Sequence, residues 1–97
     1  MALAEAALGQ ACVRTAGAVV AFAAVPGRTT GRYGARGLMY VHMEAGHAAQ
    51  NVHLQAVALG LGSVAVGAFD ADQAARVLGL PEGETLLYLV PVGRPAR

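Results

Sequence analysis

The strongest helix pattern in this sequence runs from Leu38 to Leu59 and reads LMYVHMEAGHAAQNVHLQAVAL. Apolar residues recur along it at steps of three and four, which is the spacing of one face of an α-helix. Gly60 is expected to end the helix. Because the apolar face consists mostly of small side chains, we expect the helix to pack centrally in the fold or against its own copy in a dimer. Gly46 weakens the helix and is expected to mark a close contact. The residues of this face are Val41, Ala45, Ala48, Val52, Ala56 and Leu59.

On the N-terminal side of this helix the sequence predicts a short helix, a strand and a loop. Residues 2–10 have a helix-forming composition, with Gly9 near the end. Residues 18–25 are rich in valine and lack polar side chains, which predicts a strand buried on both faces. Residues 26–37 are rich in glycine and arginine, which predicts a polar, mobile loop with a cationic edge.

On the C-terminal side the pattern changes between strand and helix twice more. Residues 63–67 predict a second strand, and the carboxylate of Asp70 can cap the next helix, with Gln73 completing a capping box. Gly79 is expected to end that helix after Leu78. Residues 85–92 predict a third strand that is apolar on both faces.

Pro91 lies in the third predicted strand and cannot donate a ladder hydrogen bond, so we expect an edge or a bulge of the sheet at this residue.

The order of these elements defines a fold class. Helices and strands alternate in the order α-β-α-β-α-β, with three strands, a long central helix and no internal repeat. This order predicts an α+β fold in which helices and sheet form layers. With 97 residues, we expect residues 1–97 to form a single domain.

The composition excludes several classes of function. The chain is 56% hydrophobic and 13% charged with a formal net charge of +1, so it must bury a core and lacks the basic field that attracts nucleic acid. All 7 basic residues are arginines, which excludes the lysine of a P-loop or a Schiff base. The serine Ser63 lacks the second glycine of a nucleophile elbow. Residues 16–25 are about half as long as the roughly 20 residues that span a membrane, so no membrane partner is expected.

The cysteine content and the small core side chains indicate the compartment and the assembly. A single cysteine, Cys12, fits a reducing compartment, so we expect the protein in the cytoplasm, and we interpret its thiol as a packing group. A core of small side chains gives a lone 97-residue monomer marginal stability. An oligomer is therefore expected.

The histidines do not have the spacing of a metal site. His42 and His47 are separated by about 140° around a helix, and His42 and His53 lie three turns apart. Glu44 and His47 have the Glu-x-x-His spacing of di-iron bundles, but the chain offers no further inward glutamates. We therefore expect no metal and interpret these histidines as solvated or interface residues.

Arginines and glycines alternate in residues 26–37 without matching a nucleotide motif. Arg28, Arg32 and Arg36 are spaced at fours, which is compatible with an anion site or with a solvated edge. The glycines there recur at every third residue and do not match the Gly-x-Gly-x-x-Gly fingerprint of dinucleotide binding.

The remaining feature is the sequence VGAFD from Val66 to Asp70, where a predicted strand ends and a capped helix begins. The first amides of a helix have no partners within it and can donate outwards, and Gly67 has no Cβ to keep a flat ligand away. The edge of a planar cofactor fits such a turn, although a plain structural turn has the same pattern.

Several segments, in this order, resemble the C-terminal half of the nitroreductase family, and the match is closest to its azoline-oxidising dehydrogenase branch. The resemblance covers the chain from about Ala2 to its end. The segments that carry it are RYG at 32–34, EAGHAAQN at 44–51, LQA at 54–56, LGLGS at 59–63, VGAFD at 66–70 and LLYLVPVG at 86–93.

The resemblance implies a homodimer that binds FMN at the subunit interface and passes hydride from NAD(P)H to an acceptor. The helix from Leu38 to Leu59 would form much of the dimer core. The family match maps the backbone amides near flavin N5 and O4 onto Gly67 and Ala68, where hydrogen bonds would stabilise charge on the ring. The resemblance also implies that Arg94 or Arg97 contacts the FMN phosphate. It assigns no catalytic residue.

Much of the family's flavin pocket has no counterpart in this sequence. The N-terminal half, whose first helix binds the phosphate in the family, has no counterpart here, so we expect a truncated nitroreductase-like domain. Three alternatives stay open: a separate polypeptide completes the site, FMN binds weakly, or the chain is a non-catalytic homodimeric remnant without flavin.

Overall fold

The computed structural model describes residues 2–95. The elements are α1 Ala2–Ala6, α2 Ala11–Arg14, β1 Ala18–Ala24, α3 Gly27–Tyr33, α4 Gly37–Ala58, β2 Gly62–Ser63, α5 Ala71–Leu78 and β3 Thr85–Gly93. A 3₁₀ turn at Gly34–Arg36 connects α3 to α4. The strands form a three-stranded antiparallel sheet with the order β1-β3-β2.

Helices cover the sheet from two sides. Leu89, in the middle of β3, is fully buried in a cluster with residues of α1, α2 and α5. Val90 is also fully buried, and because successive side chains of a strand point to opposite faces, it faces the other layer. In that layer α4 contacts all three strands. The layered α+β fold and the order α-β-α-β-α-β predicted from the sequence are confirmed.

The long central helix is present as α4, with 22 residues. Its small buried side chains lie on the sheet, which confirms the prediction of central packing. Leu59, predicted on the buried face, is 64% exposed because the helix ends at Ala58 and the chain then turns at Gly60 with φ of 74°. A Cβ at Gly46 would meet no atom within 4 Å among residues 2–95, so the expected close contact is not made within this chain. The buried residues of α4 are Gly37, Val41, Ala45, Ala49 and Ala56.

A second face of α4 carries apolar side chains that the rest of the chain leaves open. Met39 and Met43 are 44% and 49% exposed, and Leu54 and Val57 are 61% and 75% exposed. These residues recur at steps of three and four, so they lie on one face of the helix. We call this face the exposed stripe. Its members are Met39, Met43, Gly46, Gln50, Leu54 and Val57.

The prediction of a mobile loop at residues 26–37 is wrong, because this segment forms α3 and the 3₁₀ turn. Its glycines do not prevent helix formation. Gly34 adopts φ of 67° at the end of α3, a conformation that glycine reaches without strain. Gly37 begins α4 so close to α3 that a Cβ would lie 3.0 Å from the Thr29 carbonyl oxygen and from the Thr30 Cα. The glycines therefore allow a tight helical corner.

The first two strands differ from their predictions. None of the residues of β1 is fully buried, and Val20 is 37% exposed, because β1 pairs on one side only and lies at the edge of the sheet. The strand predicted at residues 63–67 is shorter and begins earlier, at Gly62–Ser63. Beyond it, Val66 forms an isolated bridge with Leu89.

Pro91 lies in the central strand and in continuous register with Val19 of β1, so the prediction of an edge or a bulge at this residue is wrong. Its carbonyl oxygen accepts a hydrogen bond from Val64 N at 3.4 Å, on the β2 side. The ring nitrogen of the same residue points to that side as well and cannot donate. Pairing with β2 stops at Ser63 and resumes only at Val66, so the missing donor coincides with the gap in the ladder.

The N-terminal helix is also shorter than predicted. It ends at Ala6, because Leu8 and Gly9 adopt φ of 61° and 68°, and α2 follows as a separate turn. Among the residues that the structure describes, no helix has the length and the apolar character needed to cross a membrane.

Candidate functional site

The turn that joins the sheet to α5 is anchored at both ends. At its start, Val66 N donates to Leu89 O at 2.7 Å and Leu89 N donates to Val66 O at 3.0 Å. Val66 is buried, so it fixes the turn to the middle of β3. Phe69 packs against the buried cluster, which holds the end of the turn.

Asp70 is the N-cap of α5, as predicted. Its Oδ1 accepts a hydrogen bond from Gln73 N at 2.9 Å. The capping box is only half formed, because Asp70 N donates to the carbonyl oxygen of Ala6 at 2.7 Å and not to the Gln73 side chain. This bond ties the start of α5 to α1. At the other end, Gly79 adopts the left-handed conformation that ends the helix, as predicted.

The turn presents two backbone donors to the surface. Gly67 and Ala68 are exposed, and within residues 2–95 their N–H groups donate no hydrogen bond to the protein. A Cβ at Gly67 would meet only Tyr88 Cε1, at 3.9 Å, so no side chain blocks the turn. The Ala68 carbonyl accepts from Gln10 Nε2 at 2.9 Å and is held on the protein side. The amides are therefore free to donate to an edge of a planar ligand.

Arg94 follows the C-terminal end of β3, away from this turn. It is exposed and lines a cleft of about 610 Å³ together with Cys12 and Ser63. Val66 pairs with Leu89, and Arg94 follows five residues later, roughly 16 Å along an extended strand. One ligand reaches both places only if it extends along β3. Arg97, the other predicted phosphate contact, lies outside the described residues.

The structure brings together a polar pair that the sequence does not indicate. His53 Nδ1 and Ser63 Oγ form a hydrogen bond at 2.5 Å, and both residues are half-buried. The pair joins α4 to β2 at a cleft of about 440 Å³. The two residues are ten positions apart in different elements, so only the packing of α4 on the sheet could reveal the contact.

The other candidate residues lie apart from the turn. His42 and His47 are exposed on α4, and in the described part of the chain no three His, Cys, Asp or Glu side chains could share a metal ion. Arg36 Nε donates to Tyr40 Oη at 3.1 Å, and the Arg32 guanidinium lies 5.5 Å from the centre of an adjacent tyrosine ring. These arginines are exposed and stacked on aromatic side chains.

The fold defines a layered α+β protein with an open turn beside its central strand, and comparison with known proteins identifies its family. The model of the nitroreductase family matches residues 2–94, so the chain belongs to this family. A relative from Methanocaldococcus jannaschii named "Putative nitroreductase MJ1384" is 51% identical over 92 residues, which are 95% of this chain and 46% of that protein. The chain thus spans about half the length of that curated relative.

Solved structures agree with this assignment. A crystal structure from Anabaena variabilis, described as a "putative nitroreductase", superimposes with a TM-score of 0.90 at 38% identity, over 97% of this chain and 19% of that one. The NADPH:FMN oxidoreductase from Vibrio harveyi, solved with NAD⁺, superimposes with a TM-score of 0.81 at 29% identity, over 98% of this chain and 45% of that one.

Proposed function

We propose that this chain belongs to an FMN-dependent oxidoreductase, which transfers hydride from NAD(P)H through the flavin to an acceptor. Within that enzyme the chain would form the part that contacts the flavin ring. The observation that carries the proposal is the open turn, whose Gly67 and Ala68 amides are exposed and without acceptors among residues 2–95. An NADPH:FMN oxidoreductase of the same fold supports the choice of cofactor.

The residues present fit the ring of the flavin. The Gly67 and Ala68 N–H groups would donate to polar atoms on the ring edge, and the lack of a Cβ at Gly67 leaves room for the ring to approach. Gln10 Nε2 binds the Ala68 carbonyl, which follows the two donors in the chain, and so restricts movement of the turn that carries them. FMN, when bound, supplies the hydride-transfer chemistry. The exposed Arg94, or Arg97, would attract the phosphate.

We further propose that two copies associate through α4. The exposed stripe offers apolar side chains at helical spacing with Gly46 at its centre, and a Cβ there would meet nothing within 4 Å of the described chain. Small residues allow two helices to approach closely. A second copy packed on the stripe would supply the close contact expected at Gly46.

The length of the chain relative to its curated relative bears on how the site is completed. The chain covers 46% of that protein, and we propose that residues corresponding to the rest of it, in the same or in a partner polypeptide, supply the remaining wall of the flavin pocket and the rest of the phosphate site. The free thiol of Cys12 supports the cytoplasm as the compartment.

Titration of the purified protein with FMN tests the flavin proposal. Binding should quench the flavin fluorescence, and the variant Gly67→Val should weaken it at least tenfold, since the added side chain occupies the approach to the amides. The control is Gly27→Val, because a Cβ at Gly27 meets nothing within 4 Å and this glycine lies at the start of α3, outside the turn. Equal FMN affinity in Gly67→Val and wild type would refute the role of the turn.

The same titration distinguishes the proposal from a non-catalytic homodimer. Such a remnant would form a dimer in sedimentation experiments and leave the fluorescence of added FMN unquenched. Because the chain covers 46% of the Methanocaldococcus jannaschii relative, the titration is repeated with the remaining part of that protein added as a second polypeptide. Absence of binding in both titrations would favour the remnant.

A further inference from the structure

The exposed stripe of α4 carries two methionine side chains that the proposed flavin turn does not use. Met39 and Met43 are separated by about one turn of the helix, and both are exposed in the single chain. The two thioethers therefore form the N-terminal end of a surface that solvent reaches. The other members of the stripe carry no charge and are Gly46, Gln50, Leu54 and Val57.

A thioether in contact with solvent reacts with hydrogen peroxide. The sulfur attacks one peroxide oxygen, the O–O bond breaks as the S–O bond forms, and the second oxygen leaves as water with both protons. The sulfur is oxidised by two electrons and the peroxide is reduced by two. The product, methionine sulfoxide, is polar, whereas methionine is an apolar side chain suited to packed contacts.

A contact between two copies at the stripe would bury these sulfurs. Two methionines in each of two copies give four sulfoxide groups in one interface after complete oxidation. Among the six members of the stripe, only Gln50 has a side chain that can donate a hydrogen bond, and it lies two helical turns beyond Met43. A buried polar group without a partner weakens association roughly tenfold.

We propose that oxidation of Met39 and Met43 by peroxide is a switch that separates two copies of this chain. The inference rests on the association through α4 that is part of the proposed function. Peroxide reaches the sulfurs in the single chain, where both side chains are exposed, and the contact between copies shields them. Oxidation therefore removes single chains from the association equilibrium, and reduction of the sulfoxides returns them.

The cysteine of the chain is a further target of peroxide, and its position separates it from the switch. Cys12 is half-buried and packs against the cluster around Leu89, in the layer on the other side of the sheet from α4. Oxidation of its thiol leaves the stripe unchanged. Cys12→Ala should therefore respond to peroxide as the wild type does.

Sedimentation velocity of the full chain before and after treatment with hydrogen peroxide tests the switch. Tandem mass spectrometry reports the oxidation of each methionine. Oxidation of both should raise the dissociation constant of the dimer by roughly a hundredfold or more, and treatment with methionine sulfoxide reductases for both sulfoxide epimers should restore it. At high protein concentration both methionines should oxidise more slowly than free methionine in the same solution, and dilution should remove this protection.

The matched control is the double variant Met39→Leu with Met43→Leu, because leucine has a similar volume and no sulfur. This variant should associate as the wild type does and should stay associated after peroxide treatment. The inference is overturned if the wild type remains a dimer with both methionines oxidised, or if the leucine variant separates as far as the wild type.

Failure of the switch differs from failure of the proposed association. If the untreated protein is a monomer at every concentration, the contact through α4 and the switch both fail. If the untreated protein is a dimer that survives oxidation of Met39 and Met43, only the switch fails. Neither result depends on the FMN titration.

Discussion

Alanine substitutions at two glycines of α4 should change the stability of the protein in opposite directions. At Gly37 an added Cβ would lie 3.0 Å from the Thr29 carbonyl oxygen and from the Thr30 Cα. Both are backbone atoms, which cannot rotate away, so α3 and α4 must separate. Overpacking of this kind costs about 1–3 kcal/mol, and the better helix propensity of alanine offsets less than about 1 kcal/mol of that cost.

At Gly46 the same substitution meets no steric obstacle. A Cβ there has no atom within 4 Å in the described chain, and the position lies inside the helix. Alanine should therefore stabilise the monomer by up to about 1 kcal/mol. The two variants should differ by about 2 kcal/mol in their free energy of unfolding, which is roughly 8–16 °C in Tm for a domain of this size.

Urea denaturation followed by far-ultraviolet circular dichroism measures both variants. The protein concentration is lowered until the midpoint no longer depends on it, so that contacts between copies do not contribute. The reasoning is refuted if Gly37→Ala is as stable as Gly46→Ala under these conditions. At high concentration Gly46→Ala should lose its advantage if two copies meet at this glycine.

The remaining predictions concern the core and the turn and use the same urea titrations. Leu89→Ala removes a fully buried side chain of the central strand and should lower the free energy of unfolding by about 2–5 kcal/mol. Val20→Ala at the exposed edge should lower it by less than about 1 kcal/mol. Similar values for the two variants would contradict the placement of β3 in the middle of the sheet. Asp70→Ala removes the cap of α5 and should cost about 1 kcal/mol, and Asp70→Asn, which keeps an acceptor oxygen, should stay within a few tenths. Gln10→Ala removes the hydrogen bond to the Ala68 carbonyl and should lower the free energy of unfolding by about 1 kcal/mol. It should also weaken FMN binding, measured in the fluorescence titration described above. Unchanged FMN affinity would show that Gln10 does not orient the turn.

The sequence alone determined the features that depend on residues close together in the chain, namely the position of the long helix and the ends of α5. The repeat of apolar residues at three and four steps predicts α4 almost to the residue, and Asp70 and Gly79 mark the two ends of α5 because capping depends on groups within one helical turn. The order of the elements and the layered α+β class follow from the same local patterns. The resemblance of the motifs identified the nitroreductase family, to which the chain belongs.

The tertiary structure decided which elements are neighbours. It places the Pro91-containing strand in the centre, makes α3 from a glycine-rich segment that packs on α4, and joins His53 to Ser63. It also leaves a second face of α4 exposed, beside the buried face that the spacing predicts. Strand order and contacts between distant residues depend on how whole elements pack, and periodicity along one element contains no information about its neighbours.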